Sequence, residues 1–546
     1  MKTPHTTGEE GSAKTEKGAD KKIDLDAIRP ELEEVRKRHA FGLDENRPDA
    51  VAKRHQKNQR TVRANVEDLC DPGRFIEYGA LTMAAQRGRR SEDDLIRRTP
   101  GDGLIAGIGA VNSALVGDER ARCSVLAYDY TVLAGTQGFF NHKKMDRMLK
   151  LAYEQRLPLV LFAEGGGGRP GDVDAGGVVV AGLDLSTFAS IASLSGRVPV
   201  VGAVSGPCFA GNAALLGCCD VIIAARNANI GMGGPVMIEG GGLGVFKPEE
   251  VGPIDVQTKN GVVDMEVADD VEMVALTKKY LSYFQGPIAT WEAADQRHLR
   301  RLIPENRRRV YDVRKVIKTL ADKDSYLELR PKFGPCLLTG LLRIEGHPFG
   351  FIANNTMHMG GAIEAEGADK AARLMQLCNA HGVPILSLCD TPGFMVGPDI
   401  EVRAQVRHVC RMFVNGAHVT VPYFTIILRR GYGLGVMAMA KGGFHESIFT
   451  AAWPTAEFGG MGLEGAVKAG FKKELAAIEN PEEREALYNQ LVAQLYERGK
   501  AINMAAHLEI DAVIDPADTR RWILEGLRSV PPERMKGGAH AFVDPW

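Results

Sequence analysis

The chain repeats itself, and that limits its fold more than any other feature. Glu154-Gln155-Arg156-Leu157-Pro158 leads into an apolar run ending Ala163-Glu164-Gly165-Gly166. Ala380-His381-Gly382-Val383-Pro384 leads into Ile385-Leu386-Ser387-Leu388-Cys389-Asp390, then Thr391-Pro392-Gly393. The two prolines stand 226 positions apart, as do Lys144 and Lys370, and Arg147 and Arg373. Pro199 and Pro422 each open the next apolar run, 223 apart, and each run passes into a Gly-containing loop, Gly206–Gly211 and Gly431–Gly435. Four anchors in one order at a nearly constant offset imply two copies of one domain, with a boundary near residue 305. The period is too long for a solenoid, whose repeats run ~20–50 residues.

Within each copy, short apolar runs alternate with helical patterns. Leu157–Phe162 is followed by a helix-like stretch from about Leu183 to Leu194 and then by Val198–Val204. Such alternation predicts βαβ units around a largely buried parallel sheet, an α/β fold. At ~150 residues per domain, 546 residues allow three to four units or two large ones, and the repeat selects two. The expected organisation is a disordered tail over 1–22, a helical arm over 23–60, a first domain over 61–305 and a second over 306–546. The tail is rich in Lys, Glu, Gly and Thr and cannot bury enough surface to order itself. The arm is charged, with spaced apolar positions at Ile28, Leu32, Val35 and Phe41.

Other function classes are excluded on composition. Lys+Arg 67 against Asp+Glu 69 gives a net charge of −2, which argues against a nucleic-acid binder held by bulk charge. The most apolar stretch, about Val198 to Ala225, is broken by Pro199, Pro207, glycines and Asp220, so no membrane span is expected. The N-terminus lacks a secretory h-region and is too acidic for a transit peptide. Nine scattered Cys without paired CxxC spacing read as reduced, packing thiols in a cytoplasmic protein, and no metal site is expected.

Glycine marks the chemistry. The 62 glycines are about 11% of the chain against a usual ~7%, and they cluster after apolar runs. Gly-rich loops at the carboxyl ends of parallel strands face a ligand crevice. The helix that follows presents unpaired N–H groups, able to hold a phosphate or the oxyanion of an enolate. Gly166-Gly167-Gly168-Arg169 is not GxGxxG, and there is no GxxxxGK[ST], GxSxG or HExxH. His142, His347, His358 and His381 are isolated, and Glu164 and Asp390 at strand ends read as helix caps or loop hydrogen-bonding groups. A site of amides without an acid/base pair suits a reaction whose own substrates trade the proton, such as enolate formation beside a thioester.

With these loops in view, the chain resembles the carboxyltransferase (β) subunit of biotin-dependent acyl-CoA carboxylases, the group of the propionyl-CoA and methylcrotonyl-CoA carboxylases. The likeness covers roughly residues 55–530. It rests on Arg60-Thr61-Val62-Arg63, Asp71-Pro72-Gly73-Arg74-Phe75, Thr99-Pro100-Gly101-Asp102-Gly103, Gly166–Arg169, Gly206-Pro207-Cys208, Asp312-Val313-Arg314, Asp390-Thr391-Pro392-Gly393-Phe394, Ala452–Glu457 and Ile514-Asp515-Pro516. The resemblance implies two tandem crotonase-like (ClpP/crotonase) domains, the first binding acyl-CoA and the second carboxybiotin. It implies a site between the first domain of one subunit and the second domain of another, in a hexamer built from dimers.

By position, the resemblance gives Ala210 and Gly211 the enolate-holding amides, and Leu434 and Gly435 those that polarise the biotin ureido oxygen. It gives acyl-CoA contacts to Gly166, Gly167, Gly168, Arg169, Cys208 and Phe209, and biotin contacts to Thr391, Pro392, Gly393 and Phe394. No biotin-attachment Ala/Val-Met-Lys-Met motif occurs and no ATP-grasp-like region is recognisable. The resemblance therefore implies a partner with biotin carboxylase and biotin carrier domains, where alone ATP is used.

Three loops depart from the family pattern. The usual Ser before Gly-Gly-Ala-Arg is Gly165, the usual Ala-Gly-Gly-Ala after Gly-Pro-Cys is Phe209-Ala210-Gly211-Asn212, and the loop often reading Gly-Gly-Ala-Tyr-Asp is Gly433-Leu434-Gly435-Val436-Met437. In propionyl-type members the final Asp accompanies short acyl groups. Apolar Met437 implies a different, bulkier one. Two alternatives use the same residues: a decarboxylase running the reaction in reverse, and a non-catalytic assembly paralogue. A plain hydratase needs one such domain, not two.

Overall fold

The computed structural model describes residues 25–175, 182–536 and 542–546, so the expected tail over 1–22 lies outside the described residues. Two twisted mixed sheets carry the fold, one per repeat. The first contains β1 (Ile76–Glu77), β2 (Leu104–Ala110), β3 (Arg122–Tyr128), β4 (Leu159–Phe162), β5 (Val200–Val204), β7 (Val221–Ala225) and β9 (Met265–Val267) in that order, with β6 (Pro207–Phe209) and β8 (Asn229–Gly231) paired separately. The second runs β10 (Leu327–Leu329), β11 (Leu337–Ile344), β12 (His347–Asn354), β13 (Ile385–Thr391), β14 (Tyr423–Tyr432), β15 (Phe449–Ala452) and β17 (Ala512–Val513), with β16 (Glu457–Gly459) beside β14.

The superposable parts follow the arithmetic of the sequence. The helices Phe139–Gln155 and Ala365–His381 begin and end 226 residues apart, and β4 and β13 start 226 apart. β5 and β14 start 223 apart. Each helix ends in a left-handed residue, Arg156 at φ 52° and Gly382 at φ 71°, before the Pro that starts the strand. The strands from β3 onward and from β12 onward pair in parallel, as the alternation of helix and strand requires.

The opening strands of each sheet are antiparallel, which the expected parallel sheet did not include. Between β11 and β12 the reason is loop length. Glu345 and Gly346, at φ 49° and 77°, form a two-residue turn, and such a turn can join only antiparallel neighbours.

The helical arm is present as Pro30–Ala40 and Pro48–His55. It docks through Arg47, whose guanidinium donates to Asp129 at 2.7 Å and to Thr131 at 2.6 Å. The stretch around 183–194 forms only the short helix Thr187–Ala192. Leu299 and Ile303 pack into the second unit's core beside Tyr311, Val316 and Phe349, so that unit gathers residues ahead of position 305.

The halves lock together through buried charge. Arg330 and Arg373 of the second half meet Asp264 and the Asp220 carbonyl of the first, at 2.9 Å for Arg330 and 2.6 Å for Arg373 on Asp220. The final residues cross the seam, with the Val543 N–H donating to Ser195 Oγ and Arg373 Nε donating to the Asp544 carbonyl. All nine cysteines are free, and only Cys218 and Cys410 are not buried. Among the described residues no helix is long and apolar enough to cross a membrane, and no cluster of His, Cys, Asp and Glu is placed to hold a metal ion.

Candidate active site

Both halves build the same device at the carboxyl ends of their central strands: a glycine loop laid against the first turn of a short helix. In the first half the loop after β4 meets the helix Gly211–Gly217. A Cβ on Gly167 would lie 3.2 Å from the Gly211 nitrogen and 2.6 Å from the Ala210 Cβ. In the second half the loop after β13 meets the helix Gly433–Met439. A Cβ on Gly435 would lie 2.8 Å from the Gly393 Cα and 3.2 Å from the Phe394 nitrogen. Both approaches require glycine.

The backbone around each loop matches. The Gln137 N–H donates to the Gly167 carbonyl and the Arg169 N–H to the Gln137 carbonyl, at 2.8 and 2.9 Å. The positions 226 further on repeat this: Ile363 N–H to the Gly393 carbonyl and Met395 N–H to the Ile363 carbonyl, at 3.0 and 2.9 Å.

The helices have seven residues each, so local N–H groups rather than a macrodipole carry the positive charge. The Gly211 amide is the first of its helix. The Ala210 amide is not available as expected, because it donates to the Gly231 carbonyl at 3.1 Å. Ala210 sits at φ 53°, ψ −121°, a strained conformation for a residue with a Cβ, and this turn swings Gly211 toward the glycine loop. In the second half Gly433 takes the left-handed turn at φ 59° and opens the helix, and the Leu434 and Gly435 amides follow it in the first turn. Leu434 is 60% exposed and Met437 37%.

The other expected contacts divide. Gly166 and Gly168 are exposed and Gly167 is buried. Arg169 does not reach toward a ligand. Its side chain is buried, pairs with Asp102, and donates from Nε to Asp172 at 2.7 Å. Asp102 in turn accepts from the Asn141 N–H at 2.8 Å, and burial pushes its carboxyl up to about 6 against the pull of Arg169. Arg169 thus fastens the glycine loop to the helix Phe139–Gln155.

Cys208 is fully buried, and burial pushes its thiol up, so its side chain offers no contact. Phe209 is buried against Gly234. Thr391 is also buried, its hydroxyl donating to the Gly361 carbonyl at 2.9 Å and accepting from the Gly393 N–H at 3.1 Å. Pro392 is half-buried, Gly393 sits at φ 121°, and Phe394 packs edge-on against Phe413.

Gly165 also has a cause. A Cβ there would lie 2.2 Å from the Gly135 carbonyl oxygen and 2.3 Å from Asn212 Nδ2, so no serine fits. Asn212 takes over the bracing, its Oδ1 accepting from the Gly167 N–H at 3.0 Å.

Glu164 and Asp390 prove to be buried ion-pair centres, not helix caps. Glu164 accepts two hydrogen bonds from Arg54 of the arm, at 2.8 and 2.7 Å; burial pushes its carboxyl up to about 7 while those two bonds oppose the shift. Asp390 accepts from Arg429 at 2.9 Å, Arg430 at 2.7 Å and Tyr311 at 2.8 Å. Arg54, Arg429, Arg430 and Asn212 were missed on sequence. The one available signal was two arginines inside an otherwise apolar run at Tyr423–Tyr432.

Beside the second helix lies a cavity of about 710 Å³ lined by second-half residues, among them Leu434, Met437, Leu463, Ala466, Leu495 and Met504.

Two matching glycine-loop sites on a duplicated α/β scaffold are the frame of a carboxyl-transferring enzyme. The carboxyl transferase domain pattern matches residues 53–535, and the chain belongs to that family. An uncharacterized carboxylase of Bacillus subtilis is 33% identical over 80% of this chain and 85% of its own. The methylmalonyl-CoA carboxyltransferase 12S subunit of Propionibacterium freudenreichii is 29% identical over 89% and 91%. A solved single-chain, multi-domain long-chain acyl-CoA carboxylase is 57% identical, with a TM-score of 0.86 over 91% of this chain. This chain spans about half, 49%, of that one. The solved transcarboxylase 12S hexamer, with methylmalonyl-CoA bound, has a TM-score of 0.78 at 26% identity over 95% of this chain. The protein is the carboxyltransferase component of a biotin-dependent acyl-CoA carboxylase, built on two crotonase-like domains.

Proposed function

We propose that this chain carboxylates a long acyl-CoA, the first half of one copy facing the second half of another. The observation that carries the substrate class is Met437, an apolar side chain lining a large cavity, where the resemblance to propionyl-type carboxylases implies an Asp. The likeness to the long-chain acyl-CoA carboxylase supports it.

The first half binds the thioester, and the Gly211 amide and the amides of exposed Gly166 and Gly168 donate to its carbonyl oxygen, the Gly167 N–H being held by Asn212 Oδ1. These donors strengthen as negative charge grows on that oxygen, each worth typically about 2.7–4 kcal/mol in rate. The second half fits a ureido group: Gly435 against Gly393 leaves no side chain between the loop and the Leu434 and Gly435 amides. Carboxybiotin, when bound there, supplies carbon dioxide and leaves a ureido nitrogen that takes the α-proton. The amides at Leu434 and Gly435 hold the ureido oxygen in place, and those of the first half keep the enolate aimed at the released carbon dioxide. The ion pairs at Glu164 and Asp390 fix the two loops rather than move protons.

Exposed apolar side chains flank both half-sites. Val236, Leu243 and Val245 follow the first, at 84%, 75% and 79% exposure; Val396 and Val402 follow the second, at 78% and 87%. Copies pairing through these surfaces would bury both patches and bring the half-sites together, in a hexamer of such dimers. A partner bearing biotin carboxylase and biotin carrier functions supplies the charged biotin, ATP being used only there, and a cytoplasmic setting suits the free thiols.

The test is affinity purification from the native source with a streptavidin blot for the biotinylated companion, then acyl-CoA esters with ATP and labelled bicarbonate. Label incorporation is expected to favour long esters, and Met437→Asp to shift it toward propionyl-CoA. Equal turnover of acetyl-, propionyl- and long acyl-CoA by both proteins would refute the substrate class.

A further inference from the structure

We infer that the hydrogen bond between Tyr432 and Glu457 positions the amides of the second half, so that these two side chains set the affinity for biotin and leave the affinity for acyl-CoA alone. This rests on the reading above that the second half takes the ureido group. Tyr432 immediately precedes the helix Gly433–Met439, and its hydroxyl donates to Glu457 Oε1 at 2.7 Å. Strand pairing brings the two together. β14 and β16 run parallel with Tyr432 opposite Gly459, and Glu457, two residues earlier, shares the face of Gly459. Tyr432 is buried, so a ring held at its hydroxyl has little room to shift.

The two halves fix this turn differently. In the first, a main-chain bond does it: the Ala210 N–H donates to the Gly231 carbonyl of β8, and that amide is consumed. The position matching Tyr432 there is Cys208, 224 residues earlier as Gly211 is to Gly435, and it carries a buried thiol in place of a phenol. In the second half the tether is made of side chains, and among the described residues no main-chain bond joins Leu434 to β16. The Leu434 N–H is thereby left for a ligand, as one of the unpartnered donors of a helix start. Glu457 is itself held. Arg307, at the boundary of the halves, places Nη1 4.0 Å from Glu457 Oε2 and its guanidinium 3.6 Å from the centroid of the Tyr496 ring. The Arg307 carbonyl accepts from Arg429 Nη1 at 3.0 Å. Burial pushes the Glu457 carboxyl up, and the Tyr432 hydroxyl and the guanidinium groups of Arg307, Arg429 and Arg430 oppose the shift. Glu457 ends the motif Ala452–Glu457, and the tether gives that motif a part in the site.

Carboxyl transfer to free biotin by the purified protein tests this, with KM measured for each substrate. The donor is methylmalonyl-CoA or 2-carboxydodecanoyl-CoA, whichever the unsubstituted protein turns over faster. Tyr432→Phe should raise the KM for biotin about tenfold or more while the KM for the CoA ester stays within about twofold. Glu457→Ala should match it. Glu457→Gln, which still accepts from the hydroxyl, should lie within about threefold of the unsubstituted protein. A merely structural role would move both KM values and the unfolding midpoint together. Equal KM changes for both substrates, or a Glu457→Gln no better than Glu457→Ala, would overturn the proposal. An unchanged biotin KM in Tyr432→Phe would overturn it too and leave the assignment of the halves standing. A change confined to the CoA ester would overturn both.

Discussion

Glu164 and Asp390 occupy the same place in the two halves, 226 residues apart, at the carboxyl ends of β4 and β13. Each is a buried carboxylate, yet they are neutralised from different directions. Glu164 takes its counter-ion from outside the domain, Arg54 of the arm. Asp390 takes two from the adjacent strand, Arg429 and Arg430 of β14. The duplicated scaffold keeps the glycine contact and the bare helix amides while the charge supporting each loop is rebuilt locally. Loop position is set by topology, and loop support is free to drift provided no buried charge is left alone.

The widest break in this comparison should come from the glycines that both halves share. Gly435→Ala forces a Cβ against the Gly393 backbone, and Gly167→Ala adds a Cβ at φ 83° against Ala210. Each should lower kcat about 10²–10³-fold, the usual loss of one oxyanion donor. Gly217→Ala, with nothing within 4 Å of the added carbon, should leave the rate within about twofold. Steady-state kinetics of the three side by side would decide whether the shared contact matters, and a Gly435→Ala enzyme at full rate would remove the basis for treating the loops as a pair.

The ion pairs should separate by stability. Asp390→Asn leaves the buried Arg429 guanidinium and its half-buried neighbour Arg430 without a counter-charge and should cost about 3–5 kcal/mol. Glu164→Gln still accepts a hydrogen bond from Arg54 and should cost less, about 1–3 kcal/mol. Urea unfolding of both variants measures this, and the reverse order would mean the arm, not β14, carries the greater electrostatic burden.

The finest contrast lies between Lys144 and Lys370. Both are buried and donate to backbone carbonyls, Lys144 to Gly101 and Leu104, Lys370 to Arg330 and Phe333. Burial lowers Lys144 to about 8 and Lys370 to about 7. Above these values the folded chain has released a proton that the unfolded chain keeps, so each lysine's contribution to stability rises with pH until the unfolded value near 10.5. The stability lost in Lys370→Met should therefore grow above about pH 7, by up to ~1.4 kcal/mol per pH unit. The loss in Lys144→Met should begin growing about one pH unit later. Denaturation midpoints across that range would show two displaced curves, and coincident ones would deny the halves different burial.

Much of this was legible without coordinates. The spacing of Pro158 and Pro384, Lys144 and Lys370 is a local signal repeated, and it located the paired helices and strands because hydrophobic periodicity and Pro/Gly punctuation act over a few residues. The loops at Gly166–Gly168, Gly211, Gly393 and Gly435 were found for the same reason. What sequence could not show was which partner each charged group finds. Arg169 matches a family motif and was expected at the ligand, yet it folds back onto Asp102, 67 residues away. Arg54 reaches Glu164 across 110 residues. Such pairs depend on where separate elements land, which no local pattern encodes.

The amino-acid sequence on its own determined the duplication and the family, since each rests on short motifs and their order. Only the tertiary structure decided that the Ala210 amide is already bonded to Gly231, that a long connection after β16 lines a cavity beside Met437, and that buried arginines brace the loops. The physical reason is one of range: turns and helix starts are fixed by neighbours in the chain, whereas cavities and buried ion pairs exist only once distant segments have closed around them.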